Sequence, residues 1–455
     1  MSARRVLVLG GGMAGMAAAD ALAEAGGSEV TLIEAAPELG GLAGSFVREG
    51  RSFPLGYHHI LHRDRTLLFY FHLLGLSNQI RWRRIRMFFR VGGRNYNLAS
   101  PGDFSRFPMA TADKFRFARM MLRAFARREW SSWVDRSAAQ LIDRWAGPGV
   151  RTTLFEPLTE IKFGLPCEEV SGAWLGARLY HREGSAALGY IPNGNWTDVL
   201  CRALGDRLAG AGVRIRIGTP VERIETRDGR LSGVELKGGE RLEADLVVST
   251  LPTGLLSRLL PEDDTPALRE IEYTALDSVI CATRQPLGPE FYWMNLHPRE
   301  HGNSGIFVLD ALNPTLGQSG EHYVNFVTHY HDRTVPRFAD ASEEQLVERC
   351  REDFRRVFGM ELEARWIVAN RLARYSPILH RGYRNPPVRS TRYENLFFAG
   401  NFRTFPSVVT TGTALGSGLE AAAAVLAAES RSSDLVRRSL RHRKASMLWR
   451  WRARG

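Results

Sequence analysis

One stretch near the start of the chain restricts the fold more than any other. It consists of an apolar strand at residues 6–9, the glycines Gly10, Gly12 and Gly15, an alanine-rich helix ending at about residue 25, and a second apolar strand at residues 29–33. Glu34 follows directly, at a place where a carboxylate can bind an adenosine ribose. This order predicts a dinucleotide-binding strand–helix–strand unit, and the alternative is an ordinary strand-to-helix turn.

Each small residue in this unit has a physical role. Gly10 permits the tight turn, Gly12 lets the backbone approach a pyrophosphate, and Gly15 lets the helix pack closely on the strand. The backbone N–H groups of Met13 and Ala14 lie at the helix N-terminus, where the helix dipole also attracts phosphate. The five positions together are therefore predicted to hold the phosphates of a cofactor.

Length and composition fit a globular enzyme. The chain has 455 residues, of which 44% are hydrophobic, and this is enough for two or three domains. No apolar run reaches the roughly 20 residues of a membrane-spanning helix. The four cysteines are widely separated, so we expect neither a disulfide framework nor a zinc site, and a reducing cytoplasm is the predicted location.

A glycine doublet, Gly40-Gly41, follows Glu34 after a short interval and precedes Leu42. This segment resembles the second motif of the flavin amine oxidase superfamily, which includes phytoene desaturases and protoporphyrinogen oxidases. The resemblance implies FAD rather than NAD, with Gly41 and Leu42 beside the phosphates and the ribityl chain. Members of the family often carry Arg where this chain has Leu42.

A histidine-rich segment around Gly56 resembles the family segment that runs beside the flavin ring. The resemblance implies that Gly56 contacts the cofactor and that Tyr57 and His58 lie in the active site. His58 and His62 are four positions apart, so a metal-binding pair and simple packed histidines are the alternatives. A nearby proline disfavours a regular helix and no carboxylate-rich segment accompanies the pair, so no metal site is predicted.

Residues 65–144 are predicted to be mainly helical, with interruptions at residues 92–93 and 101–108. Aromatic and arginine side chains alternate through much of this region. Nucleic-acid binding is not expected, because no recognition fold accompanies the basic residues. A helical cap over the active site is the favoured interpretation. Attachment to an anionic membrane surface is the second interpretation, and the two are compatible.

Two later segments complete the predicted cofactor site. Residues 213–250 read as a strand, a three-stranded meander and a buried strand, and residues 394–428 read as a strand, a turn and a long helix. In the family, the first segment contacts adenine and the helix of the second points its N-terminus at the flavin. The implied contacts are Val221, Gly400, Asn401, Thr411, Gly412 and Thr413. No cysteine lies near the last three, so the FAD is expected to be non-covalent.

The resemblance implies an α/β fold with a Rossmann-like FAD domain in a three-layer ββα arrangement. A second, discontinuous α+β substrate domain would carry the helical cap. The predicted FAD domain combines residues 1–75, 195–262 and 391–430, and the predicted substrate domain combines residues 76–194 and 263–390. The tail at 431–455 has nine Arg or Lys against one acid, Asp434. A frayed extension and a basic amphipathic helix on a membrane are the two interpretations of that tail.

The family resemblance predicts an FAD-dependent oxidoreductase of the desaturase or oxidase type. Such an enzyme moves a hydride from a C–C or C–N bond of a hydrophobic, isoprenoid-like substrate to flavin N5. Amine oxidases of the family commonly place a lysine near N5, and the absence of Lys between residues 238 and 443 disfavours amine oxidation. No second dinucleotide motif occurs in residues 150–390, so the electron acceptor is expected to visit the same site.

Two other functions stay open. UDP-galactopyranose mutase is a related flavoprotein without net redox change, and the segment containing Tyr57 and His58 is similar to its own. Arg371, Arg374 and Tyr375 are candidates to bind the diphosphate of a nucleotide sugar. The remaining alternative is an FAD-binding protein without catalytic activity.

Overall fold

The computed structural model describes residues 3–127, 129–180, 187–260, 266–288, 290–331 and 340–442. The helices are α1 Met13–Glu24, α2 Arg65–Leu73, α3 Pro101–Arg106, α4 Thr111–Ala126, α5 Ala138–Trp145, α6 Pro148–Val150, α7 Glu156–Phe163, α8 Gly172–Tyr180, α9 Trp196–Gly210, α10 Thr253–Leu259, α11 Pro266–Arg269, α12 Leu309–Leu312, α13 Glu343–Phe358 and α14 Thr411–Ala428. A π-helical turn, Arg151–Phe155, joins α6 to α7.

The strands are β1 Arg4–Leu9, β2 Ser28–Ile33, β3 Ser45–Arg48, β4 Arg51–Pro54, β5 Ile60–Leu61, β6 Arg81–Arg84, β7 Met87–Val91, β8 Arg94–Tyr96, β9 Ala187–Tyr190, β10 Arg214–Arg216, β11 Val221–Arg227, β12 Arg230–Leu236, β13 Arg241–Glu243, β14 Leu246–Ser249, β15 Tyr273–Thr283, β16 Trp293–Leu296, β17 Gly305–Val308, β18 His322–Tyr330, β19 Ala364–Pro377 and β20 Leu396–Phe398.

A five-stranded parallel sheet in the order β10-β2-β1-β14-β20 forms the centre of the cofactor-binding half. Alternate side chains of β1 serve opposite faces, as the period of a strand requires. Val6 and Val8 pack with α1, α9 and α14, whereas Leu7 and Leu9 pack with the antiparallel meander β11-β12-β13. The layers are thus meander, sheet and helices, which confirms the α/β, Rossmann-like prediction.

A seven-stranded sheet in the order β19-β15-β18-β17-β16-β7-β8 forms the other half. Its pairs are antiparallel except for β16 with β7. Helices α4, α5 and α8 pack around a separate aromatic core that includes Trp130, Trp133 and Trp145. We propose that the two sheets define two domains with the boundaries expected from the sequence, and that this helical cluster is the cap.

The helical prediction for residues 81–96 is wrong. This segment forms β6, which pairs with β9, and β7, which pairs with β16 and β8. Apart from Arg90, the side chains of β7 are apolar or aromatic, types that pack well on a pleated surface, and Phe89 is buried. The partner strands are distant in sequence, so no local periodicity announced the pairing.

The C-terminal region begins as a helix at residues 434–442. Leu435 is buried in the core beside α1 and α14, and the His442 ring lies 5.7 Å from the Phe69 ring in α2. The first part of the predicted tail is therefore anchored, whereas residues 443–455 lie outside the described residues. Within the described ranges, no helix combines the length and the apolar composition of a bilayer-spanning segment.

Candidate active site

A cavity of about 900 Å³ opens at the C-terminal ends of β1 and β14 and continues beneath the cap. Its lining comes from the glycine turn after β1, from α4, α7 and α8 of the cap, and from β16 to β19 of the large sheet. Most of the lining side chains are apolar. Among the described residues of the lining, Glu34 is the one carboxylate.

The cofactor end of the cavity contains a buried helix N-terminus that the protein itself does not cap. Helix α1 begins after Gly12, no side chain of the described residues caps it, and Met13 and Ala14 are 5% exposed. A buried helix end without partners requires a ligand. A Cβ on Gly15 would lie 1.8 Å from the carbonyl oxygen of Gly10, so this position needs glycine for close packing. The cradle therefore fits the phosphates of a dinucleotide.

Glu34 lies at the same end, where its carboxylate is held by two backbone groups. One oxygen accepts a hydrogen bond from the N–H of Gly11 at 2.6 Å, and the other accepts from the N–H of Ala36 at 2.8 Å. The side chain is half-buried and lines the cavity. A fixed acceptor at this place suits the ribose hydroxyl groups of an adenosine.

The predicted site residues divide into two groups. Those that line the cavity are Gly10, Gly12, Met13, Ala14, Glu34, Gly41, Leu42, Tyr57, His58, Val221, Arg374, Tyr375, Gly400, Asn401 and Thr411. Gly15, Gly56, Gly412 and Thr413 are not part of the lining. Gly56 packs against Leu276, Leu372 and Tyr375.

The N-terminus of α14 uses some of its own donors. The N–H of Gly412 donates to Asp64 at 3.2 Å, and the N–H of Thr413 donates to the Thr410 hydroxyl at 3.0 Å. The side chain of Asn401 donates to the carbonyl of Tyr375 at 3.1 Å. Gly412 and Thr413 are thus committed to protein partners, and within this motif we keep Gly400, Asn401 and Thr411 as proposed cofactor contacts.

An aromatic chamber, made of Tyr57, His59, Trp293, Phe307, His329 and Tyr375, forms the end of the cavity away from Glu34. The rings of Tyr57 and Phe307 stack at 4.6 Å, and those of His59 and Trp293 stack at 5.5 Å. The Tyr57 hydroxyl and His329 Nε2 share a hydrogen bond of 3.3 Å. Burial above all, with a contribution from Lys162, holds the pKa of His329 well below its usual value, so the ring is neutral.

His58 and His62 do not point at a common ligand. His58 Nε2 bonds to the carbonyl oxygen of Leu42 at 2.8 Å, whereas the His62 ring stacks on Trp82 at 3.5 Å. Burial lowers the pKa of His58, so this ring too is neutral. No cluster of three or more metal-ligating side chains occurs in the described part of the chain.

The sequence analysis missed several polar residues of the cavity, among them Lys162, Arg178 and His329. Lys162 comes from α7, so the lack of Lys in residues 238–443 does not leave the cavity without a lysine. The absence of Lys from residues 238–443 is therefore no longer an argument against amine oxidation. A signal existed in the sequence for two of them, since the chain has only four lysines and since a histidine inside an apolar strand is uncommon. Nothing local marked Arg178 among so many arginines.

A dinucleotide cradle that opens directly into an aromatic chamber defines a flavin-dependent oxidoreductase. The sequence profile described as "Flavin containing amine oxidoreductase" matches residues 13–426. The chain therefore belongs to the flavin containing amine oxidoreductase family, is an FAD-dependent oxidoreductase, and is of the desaturase or oxidase type.

Relatives support this assignment at low identity. The chain is 23% identical over 401 residues to the 15-cis-phytoene desaturase of Narcissus pseudonarcissus, covering 79% of this chain and 67% of that protein. It spans about half the length of three further plant phytoene desaturases.

Two solved structures share the fold. A putative protoporphyrinogen oxidase from Exiguobacterium sp. 255-15 gives a TM-score of 0.76 at 20% identity, covering 93% of this chain and 99% of that one. Reduced UDP-galactopyranose mutase gives a TM-score of 0.74 at 16% identity, covering 96% and 97%. At these identities the likeness concerns the fold alone.

Proposed function

We propose that this enzyme oxidises a hydrophobic, isoprenoid-like substrate at a C–C or C–N bond. The observation that carries the proposal is the continuity of the cavity, which joins the cradle at Gly12 to an aromatic chamber beneath the cap. FAD, when bound, supplies the hydride acceptor. The plant desaturase relatives, named for the hydrocarbon phytoene, support an apolar substrate.

The protein orients the substrate, excludes water from the chamber and provides a group that accepts a proton. Apolar side chains of α4, α7 and α8 close the chamber, among them Phe117, Leu158 and Leu175. Desaturation of a C–C bond breaks a C–H bond on each carbon, so one carbon gives a hydride to the flavin and its neighbour loses a proton as the double bond forms. His329 is neutral and bonded through Nε2 to the Tyr57 hydroxyl, and we propose that this pair accepts the proton.

We also propose that the enzyme works at an anionic membrane surface through α4. The inner face of this helix lines the cavity with Phe117 and Met121. The outer face exposes large apolar side chains, since Phe115 is 73% and Leu122 is 72% exposed. Several Arg residues on the same helix offer charge complementarity to anionic headgroups. A hydrophobic substrate would then reach the chamber directly from the lipid.

A nucleotide-sugar reaction without net redox change is the second candidate. Arg374 and Tyr375 line the cavity, which favours it, but the Arg371 guanidinium donates to the buried Asp277 carboxylate at 2.9 Å. Arg371 is thereby held by a structural partner. A mutase requires reduced flavin and consumes no electron acceptor, whereas a desaturase consumes one for each turnover. Dependence on a reductant therefore separates the two.

Anaerobic mixing of the FAD-loaded enzyme with isoprenoid hydrocarbons and amines tests the proposed reaction. We expect one substrate class to bleach the visible flavin band. Leu158→Trp, which fills the chamber from α7, should retain FAD and lose this bleaching. The proposal is overturned if dithionite reduces the bound flavin but no hydrophobic substrate does.

A further inference from the structure

The described wall of the cavity carries more cationic than acidic side chains. Glu34 is the one acidic side chain in the described lining, and it lies at the cofactor end, held by the N–H groups of Gly11 and Ala36. Four cationic side chains line the same cavity, namely Lys162, Arg178, Arg371 and Arg374. Arg371 pairs with the buried Asp277 carboxylate and Arg374 is exposed, so the half-buried cations of this wall are Lys162 and Arg178. A bound anion stabilises charge in a partly buried wall, and an anionic ligand therefore suits this part of the cavity.

Arg178 belongs to this set and lines the cavity from α8. It is half-buried in α8, and its neighbours in the wall are the apolar Trp174, Leu175 and Leu179. No carboxylate among the described residues lies within ion-pair distance of its guanidinium. Arg178 and the aromatic residues of the chamber line the same cavity, and Arg178 contributes, after burial and His58, to the lowered pKa of His59.

Lys162 approaches the same chamber from α7. Its ammonium nitrogen lies 5.7 Å from the centre of the Tyr375 ring, and its charge acts on His329. The Tyr57 ring lies 5.7 Å from the His59 ring, whose pKa is lowered by burial and also by Arg178, and 5.8 Å from the His329 ring, whose pKa is lowered by burial and also by Lys162. Two cap helices therefore each bring one cation to a chamber whose other walls are aromatic.

We propose that the chamber recognises a substrate with an anionic head, a carboxylate or a phosphate ester, on an apolar body. Arg178 is the principal contact, because a guanidinium binds both classes of anion through paired hydrogen bonds, and Lys162 is the second contact. The inference rests on the proposed function, since it takes the chamber to be the substrate site. It adds a polar end to a substrate that was otherwise described only as hydrophobic.

Binding to the FAD-loaded enzyme, read from quenching of tryptophan fluorescence or from perturbation of the flavin spectrum, tests the inference without turnover. The probes are an isoprenoid monophosphate, the carboxylate of the same chain, the matching alcohol, and inorganic phosphate alone. We expect both amphipathic anions to bind at least about tenfold more tightly than the alcohol. Tight binding of inorganic phosphate alone would point to a plain phosphate site and overturn the proposal.

Single substitutions test whether the preference for anions arises from the cations of the chamber. Arg178→Gln should lower the affinity for the anions at least about tenfold and leave the alcohol unchanged, and Arg178→Lys should restore part of it. Arg144→Gln removes an exposed charge of α5 outside the cavity and should change nothing. Lys162→Gln should weaken only the anions and serves as the second variant if Arg178→Gln does not retain FAD.

The outcomes separate this inference from the proposed reaction. Equal affinity of the wild-type enzyme for anions and alcohol, or an unchanged preference in both the Arg178 and Lys162 variants, overturns the inference. If the preference is found but no substrate reduces the flavin, the proposed reaction fails while anion recognition stands. If neutral substrates alone reduce the flavin and no anion is preferred, the reaction stands and the inference fails.

Discussion

The Asp64 carboxylate accepts a hydrogen bond from the backbone N–H of Gly412 over 3.2 Å, and so links two helix N-termini that are 348 positions apart in sequence. The same carboxylate caps α2 by accepting from the N–H of Leu67 at 3.4 Å. A buried anion between two helix N-termini is stabilised by both dipoles. This contact holds α14 against α2, which follows the segment that contains the predicted active-site residues Tyr57 and His58.

We expect Gly412→Ala to destabilise the protein and to weaken FAD binding. A Cβ at this position would lie 1.6 Å from a carboxylate oxygen of Asp64, so the cap must move. Loss of a buried cap costs about 1–2 kcal/mol. The measurement is the unfolding midpoint together with the stoichiometry of bound FAD.

Gly210 supplies the matched control. It lies near the C-terminal end of α9, and a Cβ there would meet nothing within 4 Å. Gly210→Ala should leave the protein as stable as before, or up to about 1 kcal/mol more stable. Equal behaviour of the two alanine variants would show that the Asp64 contact contributes nothing to the fold.

Removing the charge of Glu34 should weaken FAD binding without unfolding the protein. We expect Glu34→Gln to lower the affinity of the apoprotein for FAD by roughly tenfold or more, because hydrogen bonds to a charged acceptor contribute about 1.5–3 kcal/mol. Titration of apoprotein with FAD measures this. Glu38→Gln, which removes an exposed carboxylate outside the cavity, should bind FAD normally. If both variants bind FAD with the affinity of the wild type, Glu34 does not contribute to cofactor binding.

The parts of the site that the sequence predicted depend on backbone requirements that are local. Gly10, Gly12 and Gly15 are close in sequence. Gly10 has a φ of 103°, and a Cβ on Gly15 would lie 1.8 Å from the carbonyl oxygen of Gly10, so glycine is required at both positions and the pattern could be recognised from the sequence. The chamber is different, because Tyr57 and His329 come from segments 272 positions apart and meet only through sheet pairing. No periodicity or local motif in the sequence predicts a contact between two such distant residues.

The misassigned strands have the same physical origin. Arginine and aromatic residues are mixed in β6 and β7, and this composition is compatible with a helix face as well as with a strand. These segments form strands because β6 pairs with β9 and β7 pairs with β16. The position of Lys162 likewise depends on how α7 packs over the chamber, and tertiary packing of this kind leaves no trace in local composition.

Acid should destabilise this enzyme through its buried histidines. Burial lowers the pKa of His59 from 6.5 to about 3. Between about pH 3 and pH 6.5, His59 is therefore protonated in the unfolded chain and neutral in the folded protein. The unfolding free energy therefore falls as the pH drops below about 6.5, by up to about 1.4 kcal/mol per pH unit. His59→Asn removes this contribution, and its stability should fall by about 2 kcal/mol less than that of the wild type between about pH 7.5 and pH 5.

Denaturant unfolding at the two pH values measures this difference. A parallel loss of stability in wild type and His59→Asn would mean that His59 is protonated in the folded chain.

Membrane binding should depend on the outer face of α4. We expect the full-length enzyme to co-sediment with vesicles that contain anionic lipid, and to be released by high salt, because the arginines act through a screened attraction. The double variant Phe115→Ser, Leu122→Ser should lower the partition coefficient by about tenfold or more, since burial of each apolar side chain contributes about 1.5–3 kcal/mol.

Val47 offers the matched control for this prediction, because it is an apolar side chain 66% exposed on β3, outside α4. Val47→Ser should bind vesicles as the wild type does. If the α4 variant also binds normally, the attachment lies elsewhere and substrate entry through α4 is excluded. If the α4 variant alone loses both vesicle binding and the oxidation of vesicle-borne substrate, yet still oxidises detergent-dispersed substrate, then the helix that covers the chamber also brings the enzyme to its lipid.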